Sequence, residues 1–206
     1  MCGKAVPFRA DFFFLRATPA FPPPMFTISK DTQALYITAV ANDRLPVFQK
    51  DELKIITCNA IDEARNSCGF LLFAYVIMPD HLHLLTDSPK APSDVLRYIK
   101  GIISHRVVNY LKEKDYEKSL QKLQHEEQKR GYRYSLWQHE TNVFSIFSEN
   151  VFMQKVNYIH LNPVRAGLVT DMLEYHWSSA RIWRSRAEEN EPLRLDHDKI
   201  KWRKVN

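Results

Sequence analysis

The stretch Phe70-Leu71-Leu72-Phe73-Ala74-Tyr75-Val76-Ile77-Met78-Pro79-Asp80-His81-Leu82-His83-Leu84-Leu85-Thr86 decides the architecture. Phe70 to Met78 is a nearly continuous apolar run, with Gly69 before it and Pro79-Asp80 after it. A short apolar run bounded by turn residues reads as a buried strand. Residues 81–86 form a second strand, so the pair predicts a hairpin. Upstream, Leu35 to Val40 is rich in β-branched and aromatic residues and reads as another strand. Residues 50–67 carry Leu53, Ile56, Ala60, Ile61 and Ala64 at helical spacing, and Gly69 closes that helix. Downstream, Ser93-Asp94 caps a predicted helix over 94–112, with Leu96, Ile99, Ile103 and Val107 inward. Arg133 to Gln138 reads as a short strand. Glu149 to Leu161 reads as a helix with Phe152, Val156 and Ile159 on one face, stopped by Pro163. Strands and helices in this order predict an α+β sandwich, an antiparallel sheet covered by helices.

The whole chain has 206 residues, 45% hydrophobic and 26% charged, the balance of one globular domain with tails. No apolar run reaches the length of a membrane-spanning helix. Lys and Arg number 29 against 24 Asp and Glu, a net charge of +5 that mildly favours a polyanionic partner. Three cysteines without a C-x-x-C pair argue against a disulfide framework or a cysteine zinc site. With no secretory leader visible, a cytoplasmic setting is expected. Residues 1–32, with Pro7, Pro19 and Pro22-Pro23-Pro24, read as a Pro-rich arm, extended or disordered. The main domain is expected over 33–183 and a basic tail over 184–206. The charge-rich stretch 112–130 reads as a solvated helix or loop.

Two constellations carry chemistry. Residues two apart on a strand share a face, so His81 and His83 project together while Leu82 and Leu84 point into the core. Such a pair suits a divalent ion, and also suits ordinary packed histidines. A histidine-phosphatase reading would need a third histidine at position 85, which is Leu85. The second constellation is Tyr158-Ile159-His160-Leu161-Asn162-Pro163-Val164-Arg165-Ala166-Gly167-Leu168-Val169. On a helix Tyr158 and Asn162 are i and i+4 and lie on one face, with Gln154 and Lys155 a turn earlier. Alone, this segment also reads as a buried tyrosine followed by a helix-stop loop. Together, two imidazoles and an amide oxygen make a three-ligand site for a hard divalent ion, able to polarise a phosphodiester. A tyrosine at its rim can attack phosphorus and form a covalent phosphotyrosine.

Tyr75-Val76-Ile77-Met78-Pro79-Asp80-His81-Leu82-His83-Leu84-Leu85, followed by the Tyr158–Val169 segment and Trp177-Ser178-Ser179-Ala180, resembles the single-tyrosine HUH transposases, the IS200-like superfamily. Within them it most resembles the REP-associated tyrosine transposases of bacteria, over residues 33–183. The resemblance implies an RRM/ferredoxin-like fold with the histidines on a central strand and the tyrosine on a helix beside the sheet. It implies Mg²⁺- or Mn²⁺-dependent cleavage and rejoining of single-stranded DNA, leaving a 5′-phosphotyrosine and a free 3′-OH. By motif position Tyr158 is the nucleophile, and His81, His83 and Asn162 are metal ligands. The usual substrate in that family is a short palindrome folded into a hairpin. A monomer is favoured over the dimer of related insertion-sequence enzymes. The arm at 1–32 and the length of 112–130 depart from the family pattern.

DNA contacts are expected from Arg97, Lys100, His105 and Arg106 on the helix at 94–112, from Lys155 and Arg165 around the tyrosine, and from Arg181, Arg184 and Arg186. Tyr98, Tyr110, Trp177 and Trp183 are the stacking candidates. Lys199, Lys201, Arg203 and Lys204 end the tail. Two other classes compete. A domesticated hairpin binder that no longer cuts has no need of His81, His83, Tyr158 and Asn162 together. A metal-free RNA module predicts aromatic residues on the sheet face that holds the histidines, and none is legible there.

Overall fold

The computed structural model describes residues 25–124, 134–139 and 142–203. Its elements are β1 (Ala34–Val40), α1 (Asp51–Cys68), β2 (Leu72–Ile77), β3 (His81–Asp87), α2 (Pro92–Glu113), α3 (Glu117–Lys122), β4 (Asn142–Ile146), α4 (Glu149–Arg165) and the short α5 (Ala180–Trp183). The four strands form one sheet in the order β2-β3-β1-β4, and each neighbouring pair is antiparallel. The expected α+β sandwich of RRM type is therefore present, with β3 inside the sheet.

Strand alternation separates two cores. Leu35, Ile37 and Ala39 of β1 and Leu82 and Leu84 of β3 pack with Ala60, Ile61 and Ala64 of α1 and Val95, Ile99 and Ile103 of α2. The opposite face carries Ala34 and Tyr36 of β1, Leu85 of β3 and Ile146 of β4 against Phe152, Val156 and Ile159 of α4. Helices α1 and α2 thus lie behind the sheet, and α4 lies in front. The outer edge of β2 is closed by the Trp177–Ser179 segment. Ile77 N–H donates to Trp177 O (2.9 Å), and Ser179 N–H donates to Tyr75 O (3.0 Å). Covering an edge strand in this way removes a template for misassociation.

Gly69 ends α1 in the left-handed region at φ +83°, its N–H donating to Arg65 O. No atom would meet an added Cβ there, so the restriction is conformational alone.

Several expectations need correction. α4 runs on through Pro163 to Arg165 instead of stopping at Leu161. Proline removes only its own N–H, and in the last turn the ladder resumes with Ala166 N–H to Asn162 O (3.0 Å). α2 begins at Pro92 with no side-chain cap, because proline suits the first turn. Residues 134–138 make only isolated bridges, Tyr134 with Gln124 and Trp137 with Ala41. The fourth strand is β4, later in the chain. Leu123 of the charge-rich stretch is buried. Its residues 125–130 lie outside the described residues, as does most of the arm.

Residues on the outer sides of the expected boundaries at 32 and 184 also pack against the domain. Phe26 and Ile28 from the arm and Leu193 and Ile200 from the tail are buried. Phe26 N–H donates to Lys199 O, and Lys201 N–H donates to Phe26 O (both 2.8 Å). Phe26, Ile28 and Ile200 complete the core on the α4 side of the sheet, and Leu193 joins the core behind it. Among the described residues, no helix is long and apolar enough to cross a membrane.

Candidate active site

β3 carries His81, His83 and Leu85 on its α4 face, as period-two alternation requires. The two imidazole rings are 4.9 Å apart between centroids. His81 Nδ1 is 2.6 Å from Asp80 Oδ1, and Arg44 Nη1 donates to Asp80 Oδ2 at 3.1 Å. Burial alone would raise the Asp80 carboxyl, but His81 and Arg44 together hold it below its usual value. His83 Nδ1 is 2.9 Å from both Tyr36 Oη and Thr38 Oγ1. Both come from β1, whose register sets Thr38 directly opposite His83. Burial, with a smaller contribution from the neighbouring His81 and Lys155, pushes the His83 imidazole down to about 3. Burial also pushes the Tyr36 phenol up to about 12. His83 is therefore neutral and Tyr36 protonated at neutral pH. In the tautomer whose Nδ1–H donates to these neighbours, Nε2 of each histidine keeps a lone pair that a cation can take.

Tyr158 stands beside this pair. Its ring meets the His83 ring edge-on at 5.5 Å and the Tyr36 ring at 6.1 Å. It is 38% exposed, so a substrate can reach its hydroxyl. Asn162, one turn later on α4, is buried on the same helix face. Lys155 Nζ lies 4.4 Å from the Tyr36 ring centre, 5.4 Å from Phe144 and 5.7 Å from Tyr158. Arg165 Cζ lies 5.0 Å from the Tyr158 ring centre. A phenol flanked by two cations and two histidines is suited to an anionic ligand such as a phosphodiester.

Of the expected DNA contacts, the structure brings Lys155 and Arg165 to this place. Arg97, Lys100 and Arg106 belong to α2, behind the sheet. Arg97 pairs with Asp94 and Arg106 with Glu63, and both remain exposed. Lys100 donates to Gln138 O at 3.1 Å, and partial burial lowers its ammonium. Arg181 is locked to Glu191 at 2.8 Å, with side chains 11% and 8% exposed. Arg184 is exposed at the end of α5, close enough for its charge to depress the buried His160. The stacking candidates do not gather at Tyr158 either. Tyr98 and Tyr110 lie on α2, and Trp183 donates Nε1–H to Phe73 O.

Asp80, Tyr36, Thr38 and Phe144 were not singled out by the sequence. Asp80 could have been, since it precedes the first histidine. Tyr36 and Phe144 also overturn the expectation that this sheet face holds no aromatic side chain. They are paired across β1 and β4 and share the face of His83.

The donor set accepts a hard divalent ion in kind, two imidazoles and an amide. Among the described residues, no group of three His, Cys, Asp or Glu side chains comes together as an alternative centre.

The fold therefore sets a His-His pair on an inner strand of an RRM-like sheet against a tyrosine from a covering helix. The profile of the family described as "Transposase IS200 like" matches residues 30–162, more than half of the chain. The chain belongs to the IS200-like transposases, enzymes of DNA transposition. A REP-associated tyrosine transposase solved bound to a REP hairpin has a similar fold. The TM-score is 0.56 at 17% identity, covering 87% of this chain and 93% of that one. A solved chain from Deinococcus radiodurans, named as a transposase, matches at 20% identity and TM-score 0.40, over 62% of this chain and 88% of that one. No curated protein matches the chain.

Proposed function

We propose that this transposase cleaves and rejoins single-stranded DNA through a 5′-phosphotyrosine on Tyr158, with Mg²⁺ or Mn²⁺ as cofactor. The observation that carries the reading is the Tyr158 ring set 5.5 Å from the ring of the buried, neutral His83. Nε2 of His81, Nε2 of His83 and the Asn162 amide oxygen would hold the ion, which when bound polarises the scissile phosphodiester. Lys155 and Arg165 place positive charge against the Tyr158 ring, where it is complementary to the incoming phosphate. The phenol proton passes to solvent, to which the half-exposed side chain is open. The Tyr158 oxygen attacks phosphorus, an O–P bond forms, and the bond to the 3′ oxygen breaks. The departing oxygen takes a proton as a 3′-OH. Rejoining reverses these steps with an incoming 3′-OH, so the broken bond is conserved in the ester.

Tyr158 lies against His83 of its own chain, which supports action in cis by a monomer. The hairpin bound by the structural relative supports hairpin DNA as the substrate. The working place is the cytoplasm, on the nucleoid while DNA is bound.

Incubation with a labelled single-stranded hairpin oligonucleotide and Mn²⁺ tests this. A covalent adduct should survive a denaturing gel. It should vanish in Tyr158→Phe, in His81→Ala or His83→Ala, and with a chelator. Retention of DNA without any adduct from the wild-type chain would show a binder that no longer cuts.

A further inference from the structure

Phe144 is an aromatic residue on the catalytic face with no assigned use. It lies on the edge strand β4, directly opposite Tyr36 of β1, and is 51% exposed. A half-exposed phenylalanine on its own needs no explanation. Its neighbour supplies one. The Lys155 ammonium sits between the Phe144 ring at 5.4 Å and the Tyr158 ring at 5.7 Å. Among the described residues no carboxylate pairs with Lys155, so three aromatic faces hold a cation whose charge is not neutralised. Next to the attacking tyrosine, that charge is complementary to a backbone phosphate, and the exposed ring beyond it is complementary to a base. Lys155 is within 5.7 Å of both ring centres, so a phosphate on its ammonium would lie near the Tyr158 hydroxyl and near the Phe144 ring at once.

We infer that Phe144 and Lys155 form a nucleotide subsite, in which Phe144 stacks an unpaired base flanking the cleavage point and Lys155 takes the adjoining phosphate. The inference rests on single-stranded DNA reaching Tyr158. Stacking reads every base alike, so this subsite adds affinity and register but little sequence preference. Register matters, because it sets which phosphate lies before the tyrosine.

The test uses the full chain, a fluorescent hairpin oligonucleotide with an unpaired flank, and chelator, so that binding is read without cutting. Phe144→Ala should weaken binding about 5- to 100-fold, with Phe144→Trp restoring it. Thermal melting checks that each variant is folded. An abasic nucleotide walked along the flank should weaken the wild type at one position and leave Phe144→Ala unaffected there. Lys155→Ala should lower the salt slope of binding by about 0.7, whereas Phe144→Ala should leave it unchanged. Equal affinity of Phe144→Ala and wild type overturns the inference, as do abasic penalties identical in both at every position. Coupling at one position without any Mn²⁺-dependent adduct would keep the subsite and remove the cleavage reading. An adduct without coupling would do the reverse.

Discussion

At the scale of single residues, the site depends on hydrogen bonds that orient two imidazoles. Asp80 accepts from His81 Nδ1 while Arg44 braces its other oxygen. An acidic partner of this kind fixes the tautomer and raises the basicity of the remaining nitrogen. Asp80→Asn should therefore weaken Mn²⁺ affinity about 10- to 100-fold, measured by titration calorimetry on the folded, DNA-free protein. An unchanged affinity would remove Asp80 from the site. His81, His83, Tyr158 and Asn162 are legible as motifs because each pair is close in sequence, at i,i+2 on a strand and i,i+4 on a helix. Tyr36 and Thr38 are not legible in this role. They reach His83 only through the register of β1 against β3, which joins residues more than forty positions apart.

At the scale of elements, α4 couples the site to the rest of the fold. Its outer face bears Lys155 and Tyr158, and its inner face bears His160, whose Nε2 is 2.9 Å from Ser179 Oγ. Burial, with the charge of Arg184 added, pushes His160 down to about 3. The folded state thus keeps His160 neutral where the unfolded chain, near its ordinary 6.5, takes up a proton. Stability from this group is complete above pH 6.5 and is lost as pH falls from there to about 3. Asp87, raised by burial to about 6, opposes this trend, because the folded state holds its proton over the lower part of the window. The expected result is a smaller loss of unfolding free energy between pH 7 and 5 in His160→Gln than in wild type, read by urea titration. Identical slopes in the two proteins would contradict it. The helices and the hairpin strands were readable from their long apolar patterns. β4 was not, since five residues with a half-exposed phenylalanine carry little pattern and become a strand only by pairing with β1. The end of α4 was misplaced because proline is a local signal, and buried packing around Pro163 outweighs the loss of one hydrogen bond.

At the scale of the whole molecule, the C-terminal segment is part of the domain. Asp196 is buried, accepts from the Arg65 guanidinium of α1 and from Leu72 N–H of β2, and pairs with Lys199. Removing one partner of such a buried pair costs about 3–5 kcal/mol. Asp196→Ala should lower the melting temperature by many degrees while leaving His81, His83 and Tyr158 in place. A melting curve that overlays the wild type would show that the segment is not needed to hold the fold. The candidate site lies on the front of the sheet, and α1 and α2 pack behind it. Most α2 cations expected to touch DNA stand on the far side.

The sequence by itself determined the alternation of strands and helices, the sharing of one strand face by His81 and His83, and the placing of Tyr158 and Asn162 on one helix face. Those follow from local backbone periodicity, which every short segment carries within itself. Only the tertiary structure decided that α4 lies over the histidine face while α2 lies behind it, that Tyr36 and Phe144 join the site, and that Phe26, Ile28, Leu193 and Ile200 enter the core. Such choices depend on which distant apolar surfaces bury one another, and that free energy is written in no single segment.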